Sequence, residues 1–264
     1  MDALCEICEI THLLRLPNKR RQLKMANTDG RLLGDLLPNP NPAPYPERVV
    51  LEGRHVVLDP LSTSHADDLF SVLCGEQNTW LWDYLGVGPF TKIEDFRQSI
   101  AKYAQSKDPV FWAITVKPNR NTETCSDTTT VGFISLMRIA PENRSIEVGY
   151  LVFSPRLQRS TAATEAVYLL GRYAFQDLGY RRFEWKCNTL NEASRRAALR
   201  FGFTFEGVFR QHMIVKGRNR DTAWFSILDS EWETKARQAF EHWLADENFD
   251  GDGRQKKRLE EFRK

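Results

Sequence analysis

The sequence predicts an α+β fold, and three observations carry that prediction. Strand-like alternation and helical periodicity both recur along the chain. They do not follow the strict strand–helix alternation of a doubly wound sheet. The 264 residues, 41% hydrophobic and 27% charged, have an ordinary globular composition, with room for one good-sized domain plus extensions.

The domain is expected to begin at Arg48 and run to about Trp232. Val49 to Leu58 contains a strand centred on His55-Val-Val-Leu58. Ser62 or Ser64 can cap a helix through Phe70 and Leu73. Thr91-Lys-Ile-Glu94 has the spacing of a capping box for a helix to about Ala104. Strand-like runs follow at Val110–Val116, Val131–Met137 and Ile146–Phe153, the first two separated by the polar loop Pro118–Thr130. Ala166, Leu170, Ala174 and Leu178 recur at helical spacing and Gly179 suits the position after the helix end. Phe183, Trp185 and Cys187 alternate with Arg182, Glu184 and Lys186, a strand with two unlike faces. Asn191 caps a helix ending near Phe201-Gly202. Strands follow at Thr204–Phe209 and Ala223–Leu228, and a last helix starts near Glu231. The charged tail from Asp250 reads as loose.

Before the domain, PNPNPAPYP (Pro38 to Pro46) reads as an extended linker after a leader, residues 1–47 together being partly disordered. The N-terminal MDALCEICEITHLLRL mixes acids into its apolar residues and makes a poor targeting signal. Cys5, Cys8 and His12 lack the fourth ligand of a structural zinc site, so no metal is expected. Five scattered cysteines suggest reduced thiols in a cytoplasmic protein. Lys19 to Lys24 reads as a solvated basic run, with a nuclear address or a polyanion contact as the alternatives. A net charge of +2 gives no general case for nucleic acid. No apolar run approaches the roughly 20 residues that span a bilayer.

The most informative stretch is SPRLQRSTAATEA, Ser154 to Ala166, where a tight loop enters a helix. The first helical amides lack partners inside the helix, so such a junction can hold a phosphate. Taken with Glu147, Gln158-Arg159, Asn191-x-x-Ser194 and Phe201-Gly202-Phe203, it resembles the GNAT acetyltransferases. More narrowly it is similar to their RimJ/RimL-type branch, whose members acetylate protein N-termini or small amines. The linked segments are LEGRHVVLDPL, LWDYLGVGPF, EVGYLVFSPRLQRSTAATEA, NEASRRAALRFGFTFEGVFR and RDTAWFSILDSEW.

The resemblance implies a mixed, mostly antiparallel central sheet with helices on both faces. It also implies acetyl-CoA as donor and an amine as acceptor. The usual loop Q/R-x-x-G-x-G/A is here Gln158-Arg159-Ser160-Thr161-Ala162-Ala163, with threonine in place of the first glycine. Those six residues are expected to cradle the pyrophosphate, and the alternative is a plain helix cap at Ser160 or Thr161. The edge of Leu151, Val152 and Phe153 would pair with the pantetheine arm, and a strand amide would stabilise the oxyanion. The resemblance further implies that this strand splays from Phe183–Lys186.

Glu147, Gly149 and Leu151 fall on one strand face, and Gly149 leaves room for an amine beside Glu147. Glu147 is the candidate general base; its plain alternative is a surface glutamate paired to Arg144 or Arg182. The tyrosine that many relatives place four residues before the glycine of the GF pair is Ala198 here. Ser194 is the replacement candidate as acid, as a group positioning the sulfur, or simply as a capping hydroxyl. Asn191 would cap its helix and can also bond the pantetheine arm. Trp82, Asp83 and Tyr84 either line the acceptor slot or pack helices on the sheet. The leading function is acetyl transfer to a primary amine by direct attack. The rivals are a CoA-binding interaction module with weakened catalysis and, with little support, a nucleic-acid binder.

Overall fold

The computed structural model describes residues 31–118 and 129–263. Cys5, Cys8, His12, the Lys19–Lys24 run and Cys125 lie outside the described residues. Two compact units meet between Asn41 and Pro42, inside the proline-rich linker. Of the first unit residues 31–41 are described, and they hold no helix or strand. The first residues of the second unit have no regular structure yet are anchored, with the Ala43 amide donating to Pro141 O at 3.0 Å and the Glu47 amide to the Tyr173 hydroxyl at 2.9 Å.

Eight strands form one sheet: β1 (Leu51–Glu52), β2 (Val56–Pro60), β3 (Val110–Val116), β4 (Thr129–Ala140), β5 (Ser145–Phe153), β6 (Arg182–Asn188), β7 (Thr204–Val215) and β8 (Arg218–Leu228). Their spatial order is β1-β2-β3-β4-β5-β6-β8-β7. Every neighbouring pair is antiparallel except β5 and β6. That exception follows from the chain between them, since parallel neighbours need a crossover. The crossover is helix α3 (Thr161–Arg172) with the wider turn Tyr173–Asp177.

Strand alternation gives the sheet two apolar layers. Ile134, Ile146, Val148, Phe183 and Trp185 face one side. There α3, α4 (Glu192–Phe201) and α5 (Arg237–Leu244) cover them with Leu170, Phe201 and Phe240. The other side carries Phe111, Ala113 and Phe133 beneath α1 (Ala66–Leu73) and α2 (Ile93–Gln105). Each such buried Leu or Phe contributes about 1.5–3 kcal/mol. The α+β fold with helices on both faces is therefore as the sequence predicts.

Local expectations fare unevenly. Asn191 and Ser160 are N-caps, each accepting from the amide three residues on at 3.0 Å. The capping box at Thr91 does not form: the N-cap of α2 is Lys92, with no side-chain cap, and Glu94 and Asp95 instead place negative charge in the first turn. The strands at 204–209 and 223–228 run on as one long hairpin through Lys216 and Gly217, both at positive φ (48° and 71°). A bulge hid this, because Arg210, Gln211 and His212 interrupt the register between Phe209 and Met213. The tail is not loose. Leu259 is fully buried, and Arg263 donates from Nη1 to Arg200 O at 2.6 Å and from Nη2 to Leu199 O at 3.2 Å.

One contact ties the crossover helix to the far sheet edge. Glu165 of α3 accepts the amides of Arg54, His55 and Val56 at 2.8, 2.6 and 3.0 Å. Gly53 is required there, since a Cβ would stand 2.6 Å from the Glu165 carboxyl carbon.

Candidate active site

The sheet opens where its one parallel pair ends. The β5–β6 ladder runs from Ser145–Arg182 to Val148–Trp185 and stops. Beyond it Lys186–Asn188 stay paired to β8, while Gly149–Phe153 stay paired to β4. Between Gly149 and Val152 strand β5 has one residue more than β4, with Tyr150 at φ 46°. Such a bulge bends its strand, and the split is the splay that the family resemblance implied. The β5 edge from Gly149 to Phe153 thus has no strand partner on the β6 side.

At the end of β5 the loop is built by its own side chains. Gln158 Nε2 donates to Phe153 O at 3.0 Å, and Ser160 Oγ donates to Leu157 O at 2.6 Å while accepting from the Ala163 amide. The residue that takes the left-handed conformation is Arg159, at φ 60°. Thr161 is an ordinary first helical residue, so threonine in the glycine position meets no backbone conflict. The amides of Thr161 and Ala162 have no acceptor among the described residues. Two open amides at the positive end of a twelve-residue helix suit a pyrophosphate. With the open β5 edge, they fit acetyl-CoA.

On the α1–α2 side of the sheet, the layer that is apolar over β3 and β4 becomes ionic over β5, β6 and β8. Glu147, 3% exposed, binds Arg138 Nη1 through both oxygens at 2.8 and 2.7 Å and Lys186 Nζ through Oε2 at 2.8 Å. Lys186 also meets Glu184 at 2.6 Å and lies 3.9 Å over the Trp224 ring. Arg182 continues the chain, from Nε to Glu184 at 2.6 Å and onward to Glu206. Glu147 therefore is ion-paired, but not to the expected cations. Arg144 donates to Gly179 O, and Arg182 serves Glu184 and Glu206. The expected room at Gly149 is also taken: a Cβ there would collide with Met137 Sδ. Four lone-pair positions on a carboxylate accommodate these three bonds and leave one on Oε1. Oε1 is the oxygen on the Gly149 side.

The remaining expected residues fall in three settings. Ser194 Oγ accepts the Trp185 indole N–H at 2.9 Å and is hydrogen-bonded to Cys187. Burial pushes the Cys187 thiol up, so it is a poor nucleophile. Trp82 does not line a slot: it is fully buried against Phe90 and Phe96, with its N–H on Leu73 O at 3.0 Å. Tyr84 donates to Leu190 O at 3.0 Å, and Asp83 lies close enough to Lys216 to raise its proton affinity against the larger effect of burial. Lys216 in turn donates to Trp82 O at 2.8 Å. These bonds bridge the segment before α2 to the β6–α4 loop and to the β7–β8 turn.

Arg138, Lys186, Arg220 and His212 were not anticipated. The one signal available was the alternation of Arg182, Glu184 and Lys186 along a strand whose other face is apolar. Charges so placed belong to a layer that is buried with its partners.

The acetyltransferase (GNAT) domain family matches residues 55–204, more than half of the chain. The chain belongs to the GNAT acetyltransferase family. It is accordingly an acetyl-CoA-dependent acyltransferase. An uncharacterised N-acetyltransferase of Bacillus subtilis (strain 168), YoaA, is 30% identical over 182 residues, covering 68% of this chain and 96% of the relative. The ribosomal-protein-serine acetyltransferase of Escherichia coli (strain K12) is 26% identical, covering 66% and 93%. That relative supports the RimJ/RimL-type likeness. A crystal structure of a GCN5-related N-acetyltransferase from Brucella melitensis superposes with a TM-score of 0.81 at 48% identity, covering 86% of this chain and 99% of that one. Among the described residues no helix is long and apolar enough to cross a membrane, and no group of metal-ligating side chains is assembled.

Proposed function

We propose that this GNAT enzyme transfers acetyl to a primary amine, of a small molecule or a protein N-terminus, by direct attack in the β5–β6 split. The observation that carries this reading is Glu147, held at the closed end of the split beside an open strand edge. Acetyl-CoA, when bound, supplies the activated thioester. Gln158, Arg159, Ser160, Thr161, Ala162 and Ala163 would hold its pyrophosphate, and Leu151, Val152 and Phe153 would pair with its amide-bearing arm. A β5 amide would stabilise negative charge on the acyl oxygen. Asn191 orients the helix that presents Ser194.

An attacking amine must lose a proton. Glu147 Oε1 is the acceptor, fixed in place by Arg138 and Lys186. Met137 fills the space at Gly149 beside it, and its thioether chain has the rotational freedom to turn aside. Ser194, already polarised by the Trp185 N–H, is the group nearest the role of proton donor to the leaving thiolate. The buried thiols Cys74 and Cys187 fit a reducing compartment such as the cytoplasm.

Thermal unfolding with saturating acetyl-CoA, followed by thiol release over an amine panel, tests the reading. Binding at 100 times the dissociation constant adds about 2.7 kcal/mol of stability. Glu147→Gln should keep that shift and lose about 100-fold or more in kcat, as for a general base. Normal turnover of this variant across several pH values removes Glu147 from the role. A coenzyme shift with no turnover on any amine would favour a CoA-binding module.

A further inference from the structure

One cation on the ionic side of β8 has no ion-pair partner among the described residues. Arg220 shares the ionic side of β8 with Thr222 and Trp224, by strand alternation. It is half-buried, and its hydrogen bond among the described residues runs from Nε to Thr222 Oγ1 at 3.2 Å. No carboxylate of the described residues lies within ion-pair distance of it. Glu147 is near but engaged by Arg138 and Lys186, and Asp221 is engaged by the Gln211 amide and Asn219. Burial, and then the charge of Arg138, push the Arg220 guanidinium below its usual value. Arginine nevertheless remains charged at neutral pH.

Its surroundings sharpen the case. The bulge in β7 presents His212, whose Nδ1 lies 3.0 Å from the same Thr222 hydroxyl. Burial, then Arg138, Arg220 and Lys186, hold that imidazole below its usual value, so it adds a polar group and no further positive charge. An open cavity of about 740 Å³ beside the imidazole is lined by Phe209, Arg210, Gln211, His212, Asn219 and Asp221, and Arg220 borders it in sequence without lining it. A partly desolvated guanidinium beside a second one is unfavourable until an anion enters. The donor's phosphates do not meet this need, because the open amides of α3 belong to a helix packed on the opposite side of the sheet.

We propose that the acceptor is a small amine bearing a carboxylate or phosphate, which pairs with Arg220 while the amine approaches Glu147. This rests on the acetyl-transfer reading above. It narrows the acceptor class: a bare polyamine would add positive charge where a cation already stands unpaired.

The test compares three acceptors of equal chain length with the full-length enzyme: 3-aminopropanoate, 3-aminopropyl phosphate and 3-amino-1-propanol. At least one anionic acceptor should exceed the alcohol about tenfold in kcat/KM, and the better of the two identifies the group. Arg220→Met should raise the KM of that acceptor about tenfold to a hundredfold, as for loss of a charge-assisted hydrogen bond. The KM for acetyl-CoA should stay within about twofold, and Arg220→Lys should recover part of the loss. Equal use of the alcohol overturns the anion assignment and leaves acetyl transfer standing. A rise in the acetyl-CoA KM instead assigns Arg220 to the donor and also overturns it. If none of the three releases thiol, thermal shifts of the acetyl-CoA complex by 3-aminopropyl phosphate decide. A shift lost in Arg220→Met supports the proposal, and no Arg220-dependent shift ends it.

Discussion

At Arg159 and Thr161 the loop answers a question that composition alone poses badly. A glycine-free phosphate loop looks defective only if the position lacking glycine needs a left-handed backbone. Here that conformation falls on Arg159, at φ 60°, whereas Thr161 is helical. The cost of a non-glycine residue there is about 1 kcal/mol. Arg159→Gly should therefore raise the stability of the ligand-free protein by about that amount, while Thr161→Gly lowers it by about 0.5–1 kcal/mol. Denaturant midpoints of the two variants check this, and the opposite order would refute the assignment. The caps Ser160 and Asn191 were legible because a cap involves residues three apart. The partners of Glu147 were not, since Arg138 is nine residues away, Lys186 thirty-nine, and the sheet alone brings them together.

Strand β6 shows the same division at the scale of an element. Its two-faced alternation is plain in the sequence, but the neighbours decide what the charged face does. Between β5 and β8 the charges of Arg182, Glu184 and Lys186 become links from Glu147 to Glu206 on β7. Hydrogen bonds from Arg182 hold the Glu206 carboxyl down to about 2, against an ordinary value of 4.5. A carboxyl depressed in the folded state stabilises the fold above its unfolded value and loses that contribution as pH falls through its folded value. The melting temperature should consequently fall as pH drops from 4.5 towards 2. Glu206→Gln should show a shallower acid slope over that window, and an unchanged slope would detach Glu206 from acid stability. The β7–β8 hairpin eluded pattern reading for a related reason. A bulge at Arg210–His212 breaks the period of two that marks a strand, although pairing resumes at Met213.

For the molecule as a whole, the charged C-terminal segment is part of the core. Leu259 is fully buried, Trp243 binds Gln255 Oε1 at 2.8 Å, and Arg263 caps the carbonyl end of α4. Deleting residues 250–264 should cost about 2–4 kcal/mol, the sum of one buried Leu and a lost helix-end cation. Arg263→Ala alone should lose about 0.5–1.5 kcal/mol. Unfolding midpoints equal to the full-length chain would show that the segment does not dock. Average charge misleads here because a few apolar residues, one turn apart, are enough to anchor a polar segment once a groove exists to receive them.

By itself the sequence determined the α+β class, the order of the elements, the helix caps at Ser160 and Asn191, and the family. Each rests on residues close in the chain, where periodicity and capping geometry act without knowledge of the rest. Only the tertiary structure decided which cations hold Glu147, that Met137 fills the space at Gly149, that Trp82 belongs to the core, and that Arg220 has no carboxylate partner among the described residues. Those outcomes depend on sheet register and on the point where β5 leaves β6. Electrostatic pairing acts over a few ångströms between residues far apart in the chain, so it exists only once the fold has brought them together.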